Sequence, residues 1–391
     1  MEFEYPAAAE EFRTELKTFL KEELPDWWEH TWVHDERVFP LTRQICQKMA
    51  AKDWLTMSWP KEYGGADADV WSQMVVREEM WANGEPRGPQ YMNLNFIGPM
   101  LMRYGTPEQQ ERFLQPISNG DMMWCQGFSE PDAGSDLASL KTKATDSDEG
   151  FVVNGQKIWT SYAQTAEWCL LLCRTDPSEK KHQGLSMLLV DMKTPGITVR
   201  PIMSMSGPSE FNEVFFDNVV VPYDCLVGPR GKGWGVAISS LANERVGAAL
   251  HAKVELLFNQ LVEYVKTTKD ENGELLSKRP SIREGLVKLH ARYRAARLLC
   301  YRVLSAMSEG DDNPVYPAVN KIFSTELNVF AGNLGLDILG AIGQLSRGDK
   351  FAPLQGDVNE HWVLSIPQVI AMGSNEINRN IISQRGLGLP R

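Results

Sequence analysis

The densest concentration of residues able to do chemistry is the run Gln126-Gly127-Phe128-Ser129-Glu130-Pro131-Asp132-Ala133-Gly134-Ser135-Asp136. It offers two serine hydroxyls and, through its glycine and turn-forming residues, backbone N–H groups able to face a polar ligand. On composition alone a structured loop joining a helical region to a β region is the plainer reading. Other chemistries show no such concentration. The cysteines at 46, 125, 169, 173, 225 and 300 form no CxxC, and the six histidines are just as dispersed. Neither structural zinc nor a disulfide framework is expected from that spacing. No GxGxxG or GxxxxGKS occurs, so a phosphate-cradling loop on a parallel sheet is not expected either.

Three kinds of periodicity must position that run. Up to residue 122 the pattern is helical, with Phe12, Leu16, Phe19, Leu20 and Leu24 at helix spacing before Pro25. Thr106-Pro107-Glu108-Gln109 reads as a capping box with proline in the first turn. Residues 123–235 carry a strand period: Phe151 to Trp159 reads as a hairpin around Asn154-Gly155, followed by apolar runs at 170–172, 186–190, 197–199 and 214–221. From 236 to 391 the helical period returns. Val246, Leu250, Val254, Leu257, Leu261 and Val265 form one long stripe, and helical patterns resume at 282–307 and 319–342. The expected class is α+β, with an N-terminal helical domain (1–122), a middle antiparallel β domain (123–235) and a C-terminal helical domain (236–391).

The 391 residues leave room for two or three domains at about 150 each. Lys and Arg number 40 against 51 Asp and Glu, and a net charge of −11 without a basic face argues against a nucleic-acid partner. The opening Met1-Glu2-Phe3-Glu4-Tyr5-Pro6 lacks the basic and apolar regions of a secretory signal, and no stretch approaches the ~18 apolar residues of a membrane span. Gly386-Leu387-Gly388-Leu389-Pro390-Arg391 is not a peroxisomal signal. A cytoplasmic location is expected.

The 126–136 run resembles the acyl-CoA dehydrogenase signature Ser/Thr-Glu-Pro-x-x-Gly-Ser-Asp. Asn154-Gly155-Gln156-Lys157-Ile158-Trp159-Thr160-Ser161 is similar to that family's flavin-facing strand, and Glu213 to Pro222 and Gly231-Lys232-Gly233-Trp234 continue the likeness in order. The resemblance implies helical, β and four-helix-bundle domains with FAD bound between the last two. It further implies that Gln126, Ser129 and Ser135 line the flavin and its ribityl-pyrophosphate arm. Trp159, Thr160 and Ser161 would lie against the isoalloxazine ring; for Trp159 the ordinary alternative is a core aromatic at a strand end. Ser374 and Glu376 would lie near the adenine end, and Gly340 and Ala341 stand in a degraded Gly-Gly-x-Gly loop, which could equally be a helix end.

The family's reaction removes an α-proton while a β-hydride passes to the flavin. It needs a base in a dry pocket and hydrogen bonds that polarise the thioester oxygen. Many members place that base in a C-terminal Tyr-Glu-Gly-Thr motif, but here the stretch is Ala371-Met372-Gly373-Ser374, and Met372 cannot take a proton. The second placement, as in enzymes like isovaleryl-CoA dehydrogenase, corresponds to Ala242-Asn243-Glu244-Arg245, which makes Glu244 the expected base with Ala248 leaving room one turn on. A solvated Glu-Arg pair at a helix start is the plain alternative. Ser135, Arg245 and the backbone N–H near Met372 are the expected substrate contacts.

One family element is missing. The Arg-x-x-Phe-Gly motif that follows the long helix, whose arginine reaches a neighbouring subunit's FAD, has no counterpart between Tyr264 and Arg283. That departure resembles bacterial members acting on steroid side chains, pimeloyl-CoA or other unusual acyl groups, some built as α2β2 heterotetramers in which a paralogous partner supplies the arginine. A homo-oligomer is the other arrangement. The implied partners are an acyl-CoA substrate and electron-transferring flavoprotein. Alternatives are a catalytically silent subunit of a heteromer, or an acyl-CoA oxidase, although oxidases usually carry an extra C-terminal domain.

Overall fold

The computed structural model describes residues 4–390 except 34, 178, 179, 206, 247, 248 and 312; the side chains of 208, 209 and 241–248 also lie outside the description. The helices are α1 (Ala7–Glu23), α2 (Val38–Ala50), α3 (Val70–Ala82), α4 (Gln90–Met92), α5 (Gly98–Tyr104), α6 (Pro107–Ser118), α7 (Gly233–Val246), α8 (His251–Thr267), α9 (Pro280–Ser308), α10 (Val315–Leu339), α11 (Asp357–Gln368) and α12 (Asn375–Ile381). The strands are β1 (Trp124–Gly127), β2 (Lys143–Asp146), β3 (Phe151–Lys157), β4 (Trp168–Arg174), β5 (Leu185–Asp191), β6 (Ile197–Ser204), β7 (Gly207–Val221) and β8 (Leu226–Val227). Among the described residues no helix is long and apolar enough to cross a membrane. The chain divides into two compact units: residues 15–73 with 83–244, and residues 1–14 with 74–82 and 245–391.

The first of these units is built on one sheet of order β6-β7-β3-β2-β4-β5-β8. Strands β4 and β5 are buried along nearly their whole length, as their uninterrupted apolar runs require. The sheet is mixed rather than antiparallel throughout: β1 lies parallel to β4, with Trp124 opposite Trp168 and Gly127 opposite Leu171. A parallel pair needs a long crossover, and here the signature run together with β2 and β3 supplies it. Helix α6 sits on that pairing through Phe113, whose ring meets Trp124 at 5.2 Å and Trp168 at 4.8 Å, both edge to face. The Thr106–Gln109 capping box is present, and Gln109 Nε2 also donates to the carbonyls of Asp224 and Leu226 at 2.6 and 2.9 Å.

Asn154-Gly155 does not turn the chain. Phe151–Lys157 is a single strand that pairs with β2 on one side and β7 on the other, with a register shift between Val153 and Gly155. Glycine is needed there because a Cβ at Gly155 would stand 2.4 Å from Thr142 Oγ1.

In the other unit, α8, α9, α10 and α11 enclose a core that includes Val254, Leu257, Leu261, Leu289, Leu327, Ala331 and Val358. Backbones approach closely where α10 meets α11: a Cβ at Gly332 would fall 2.8 Å from the Cα of Trp362. The stripe read from 246 to 265 as one helix belongs to α8 from His251 onward, whereas Val246 ends α7.

Polar chemistry closes the same unit. Glu78 on α3 accepts from Tyr5 (2.6 Å) and Arg13 (2.8 Å), pairs with Arg297 at 3.0 Å, and shares a hydrogen bond with His251 at 2.9 Å. Burial alone would raise its pKa, but His251, Arg297 and Arg13 hold it at about 2, below the ordinary 4.5. A carboxylate depressed on folding gives stability that is complete above its unfolded pKa and vanishes as pH falls through the folded one. Glu78→Ala leaves the buried Arg13 with Glu79 as its remaining buried carboxylate and removes the half-buried Arg297's carboxylate, and is expected to destabilise this unit by about 3 kcal/mol. On acidification, hydrogen-exchange protection of segment 74–82 should persist to about pH 4.5 and fall progressively towards pH 2 in the native sequence. An identical acid profile in Glu78→Gln would rule out this origin.

Candidate active site

Strand β1 delivers Gln126 and Gly127 to the edge of β4, and the chain then leaves the sheet as the Ser129–Asp136 loop. Glu130 fixes that loop from inside. Its carboxylate accepts from the backbone N–H of Lys141 (2.6 Å) and of Thr142 (2.8 Å), and from Lys157 Nζ (2.9 Å). The same ammonium donates to the Phe128 carbonyl at 2.9 Å. Lys157 has no exposed surface and the Glu130 side chain retains 7 %. Burial pulls the ammonium pKa down against the pull of Glu130. Burial would raise Glu130, but Lys157 and the N–H groups hold it below the usual carboxylate range. Each group of the pair thus meets its counter-charge together with backbone hydrogen-bond partners, the setting in which a buried ion pair persists.

Lys157 ends β3, and the backbone beyond it returns to the loop: Ile158 N–H donates to the Ser129 carbonyl at 2.9 Å. This brings Ser129 together with Trp159, Thr160 and Ser161. Trp159 is no core aromatic, since 55 % of it is exposed. It has φ 59° and Tyr162 φ 61°, left-handed conformations that cost an aromatic residue about 1–3 kcal/mol each. Asn212 holds this turn by exchanging bonds with Thr160, its carbonyl accepting at 3.0 Å and its amide donating at 3.0 Å, while Tyr162 N–H donates to the Glu210 carbonyl at 2.7 Å. Among the buried polar atoms here that have no partner among the described residues are Gln126 Nε2 and Thr160 Oγ1, together with Asn212 Oδ1 and Trp124 Nε1. Buried polar groups are seldom left so, and an external hydrogen-bonding ligand suits Gln126 and Thr160. Ser135 lies on the exposed part of the loop.

In the other unit, Met372 and Gly373 form a turn with φ 57° and 76° between α11 and α12. Ser374 caps α12, its Oγ accepting from Ile377 N–H at 3.3 Å. Glu376 stands exposed in the first turn, where its own backbone N–H group and Ser374 hold its carboxyl below the usual range. Gly340 and Ala341 are exposed at the C-terminal end of α10, whereas the Met372 turn is tied to Lys321 near the start of that helix. The intervening rise of ~28 Å means one chain does not bring these two sets together. Glu244 and Arg245 belong to α7 by backbone, not to the apolar helix α8; their side chains lie outside the described residues, as does Ala248 altogether.

Four positioning residues were not singled out by sequence reasoning: Glu130, Lys157, Asn212 and Lys321. A signal existed for Lys157, which shares the inward face of β3 with Phe151 and Val153.

Lys157→Met strands an ionised carboxylate in an apolar interior and should lower stability by about 3–5 kcal/mol, read from the thermal midpoint. Adding Glu130→Gln to that variant should recover part of the loss. Strictly additive effects in this double-mutant cycle would show that the two side chains do not act as a pair.

Comparison with known proteins agrees with this layout. Residues 6–121, 125–219 and 231–387 match the N-terminal, middle and C-terminal domains of acyl-CoA dehydrogenase. The chain is 35% identical to acyl-CoA dehydrogenase IpdE1 of Mycobacterium tuberculosis over 91% of this chain and 90% of that protein. It is 33% identical to acyl-CoA dehydrogenase FadE26 of the same organism, over 89% and 88%. Among solved structures it is similar to a chain of the ChsE4-ChsE5 complex from Mycobacterium tuberculosis, with TM-score 0.89, 31% identity and full coverage of both chains. The Tcur3481-Tcur3483 steroid ACAD gives TM-score 0.90 at 31% identity, again with full coverage of both. The protein belongs to the acyl-CoA dehydrogenase family, FAD-dependent oxidoreductases acting on CH–CH bonds.

Proposed function

We propose that this chain catalyses α,β-dehydrogenation of an acyl-CoA thioester to the trans-2-enoyl-CoA, with Glu244 as the base and electrons leaving to electron-transferring flavoprotein. The observation that carries the reading is the Ser129–Asp136 loop joined to the Trp159–Tyr162 turn, with Gln126 Nε2 and Thr160 Oγ1 buried and unpartnered beside them. Those groups suit the polar edge of a flavin, with Ser129, Ser135 and Ser161 as further hydroxyl donors. FAD, when bound, supplies the hydride acceptor. The remaining work falls to the protein.

Support for Glu244 is chemical. The reaction needs a basic atom, and the thioether of Met372 has none at the position where many relatives carry glutamate. A carboxylate gains basicity when the substrate excludes water from it. Met372 still has a backbone N–H, for which no acceptor is found among the described residues. In this reading that donor polarises the thioester oxygen as charge builds on it. Arg245 and Ser135 contact the CoA ester. Ser374 and Glu376 serve FAD near its adenine end, Gly340 and Ala341 let backbone approach the cofactor, and the ~28 Å between the two sets fits sites completed by different subunits.

The substrate class and assembly follow the relatives. One similar structure is titled a steroid ACAD and another a two-component complex, and the pyrophosphate-reaching arginine motif is missing here. We place this chain in an α2β2 assembly with a paralogue, acting on a steroid side-chain CoA ester or a comparably bulky acyl group in the cytoplasm.

Anaerobic mixing of flavin-loaded protein with linear, branched and steroid side-chain acyl-CoA esters should bleach the flavin most with the bulky esters. No bleaching with any ester, with or without the paralogue, would favour the silent-subunit reading, and peroxide release in air would favour an oxidase. Glu244→Gln should keep its flavin and lose about 10²- to 10⁴-fold in kcat. Unimpaired turnover in that variant rules out Glu244. Native mass measurement should show stoichiometric FAD only with the paralogue present, and a fully flavinylated homo-oligomer would overturn the assembly.

A further inference from the structure

The turn that carries Met372 is held by a lysine that faces no water. Lys321 on α10 is 3 % exposed, and its ammonium donates to the Val369 carbonyl at 3.2 Å and to Asn375 Oδ1 at 2.7 Å. Those acceptors are the two ends of the turn. Asn375 N–H closes it on the Val369 carbonyl at 2.9 Å, and Thr325 Oγ1 donates to Asn375 Oδ1 at 3.1 Å. From beyond the turn, Asn378 Nδ2 donates to the Gly373 carbonyl at 2.8 Å. Thr325, Asn375 and Asn378 are all buried.

Two features of this arrangement ask for a reason. An ammonium is among the most expensive groups to remove from water, and this one is placed to donate to both ends of the turn while its charge also acts on Glu376 at the start of α12. The second feature is Met372 itself, held at φ 57° ahead of Gly373 at φ 76°. A side-chain-bearing residue stays left-handed only where its surroundings over-determine it. Charge-assisted bonds to both ends of the turn contribute to that over-determination, since a charged donor strengthens a hydrogen bond.

We propose that Lys321 is the positioning residue for the Met372 backbone N–H. Through Val369 and Asn375 it fixes the direction of that donor, so the donor meets the thioester oxygen where negative charge develops. The inference rests on the reading of Met372 N–H given above. It adds that a buried cation on α10, and not the side chain at 372, sets the donor's geometry.

The test uses the holoenzyme with the acyl-CoA ester that bleaches it best, comparing the native sequence with Lys321→Met, Lys321→Arg and Asn375→Ala. Peptide-level hydrogen exchange across 369–378 is measured beside kcat, KM, flavin content and the thermal midpoint. Lys321→Met should speed exchange in that peptide at least about tenfold and lower kcat about 10- to 100-fold, with KM and flavin content little changed. Asn375→Ala should move both readouts in the same direction by less, and serves if Lys321→Met does not fold. Lys321→Arg should recover part of kcat. Faster exchange without loss of kcat would make Lys321 a purely structural group, and unchanged exchange would deny the tether; either overturns the proposal. A native protein that neither bleaches nor turns over with any ester fails on the function itself, while the exchange result still judges the tether separately.

Discussion

A lysine ammonium with no exposed surface, locked to a carboxylate and a carbonyl, governs the unit that carries the signature loop. Lys157 reaches from the end of β3 to Glu130 and to the Phe128 carbonyl, and Glu130 in turn takes the N–H groups of Lys141 and Thr142. One ion pair thus ties the exit from β1 to the entry to β2 and the end of β3, of which only the last two share a ladder. Such a pair is weak evidence for stability, because desolvation consumes much of the attraction. Its value lies in specifying one geometry. With the loop fixed, Ser129 has its carbonyl on Ile158 N–H, and the left-handed Trp159 is carried to the surface instead of the core.

The helical unit uses the same physics in two places. Glu78 draws Tyr5, Arg13, His251 and Arg297 around one carboxylate, tying the first residues of the chain and the end of α3 to α8 and α9. Apolar burial alone would leave those segments free to slide, since hydrophobic contacts carry little directional information. Lys321 likewise closes on the ends of a turn, at Val369 just beyond α11 and at Asn375 where α12 begins. At Lys321 the charged group sits where backbone is held in a conformation that propensity does not favour.

Legibility from sequence followed the range of the cause. The capping box at Thr106 and Gln109 and the apolar stripe from Val254 to Val265 are local, and both stand in the structure where spacing placed them. The parallel β1–β4 pairing was not legible, because its long crossover leaves no turn signal between the paired strands. Asn154-Gly155 was misread as a turn for the opposite reason. The local signal was strong, but tertiary contact with Thr142 and pairing on both edges keep the strand straight through it. Candidate site residues on the signature loop were found through their motif, whereas Asn212 and Lys321 gave no motif at all. Their role is visible only once β7 and α10 are seen to reach the turns they hold.

The exchange of glutamate for Met372 then has a physical explanation. In the family's reaction the position carries two separable duties, a side-chain base and a main-chain donor to the thioester oxygen. The conformation at 372 is imposed from outside, by Val369 and Asn375 through Lys321 and by Asn378 through Gly373, so none of its fixing bonds involves the side chain at 372. Side-chain identity there is free to change while the donor stays in place. In the proposed reading the base, Glu244, belongs to α7 and not to that turn, so proton abstraction is assigned to a different element from the oxygen's donor. Under the same proposal the thioether left at 372 carries no charge, which suits the bulky apolar acyl group proposed as substrate better than a carboxylate would.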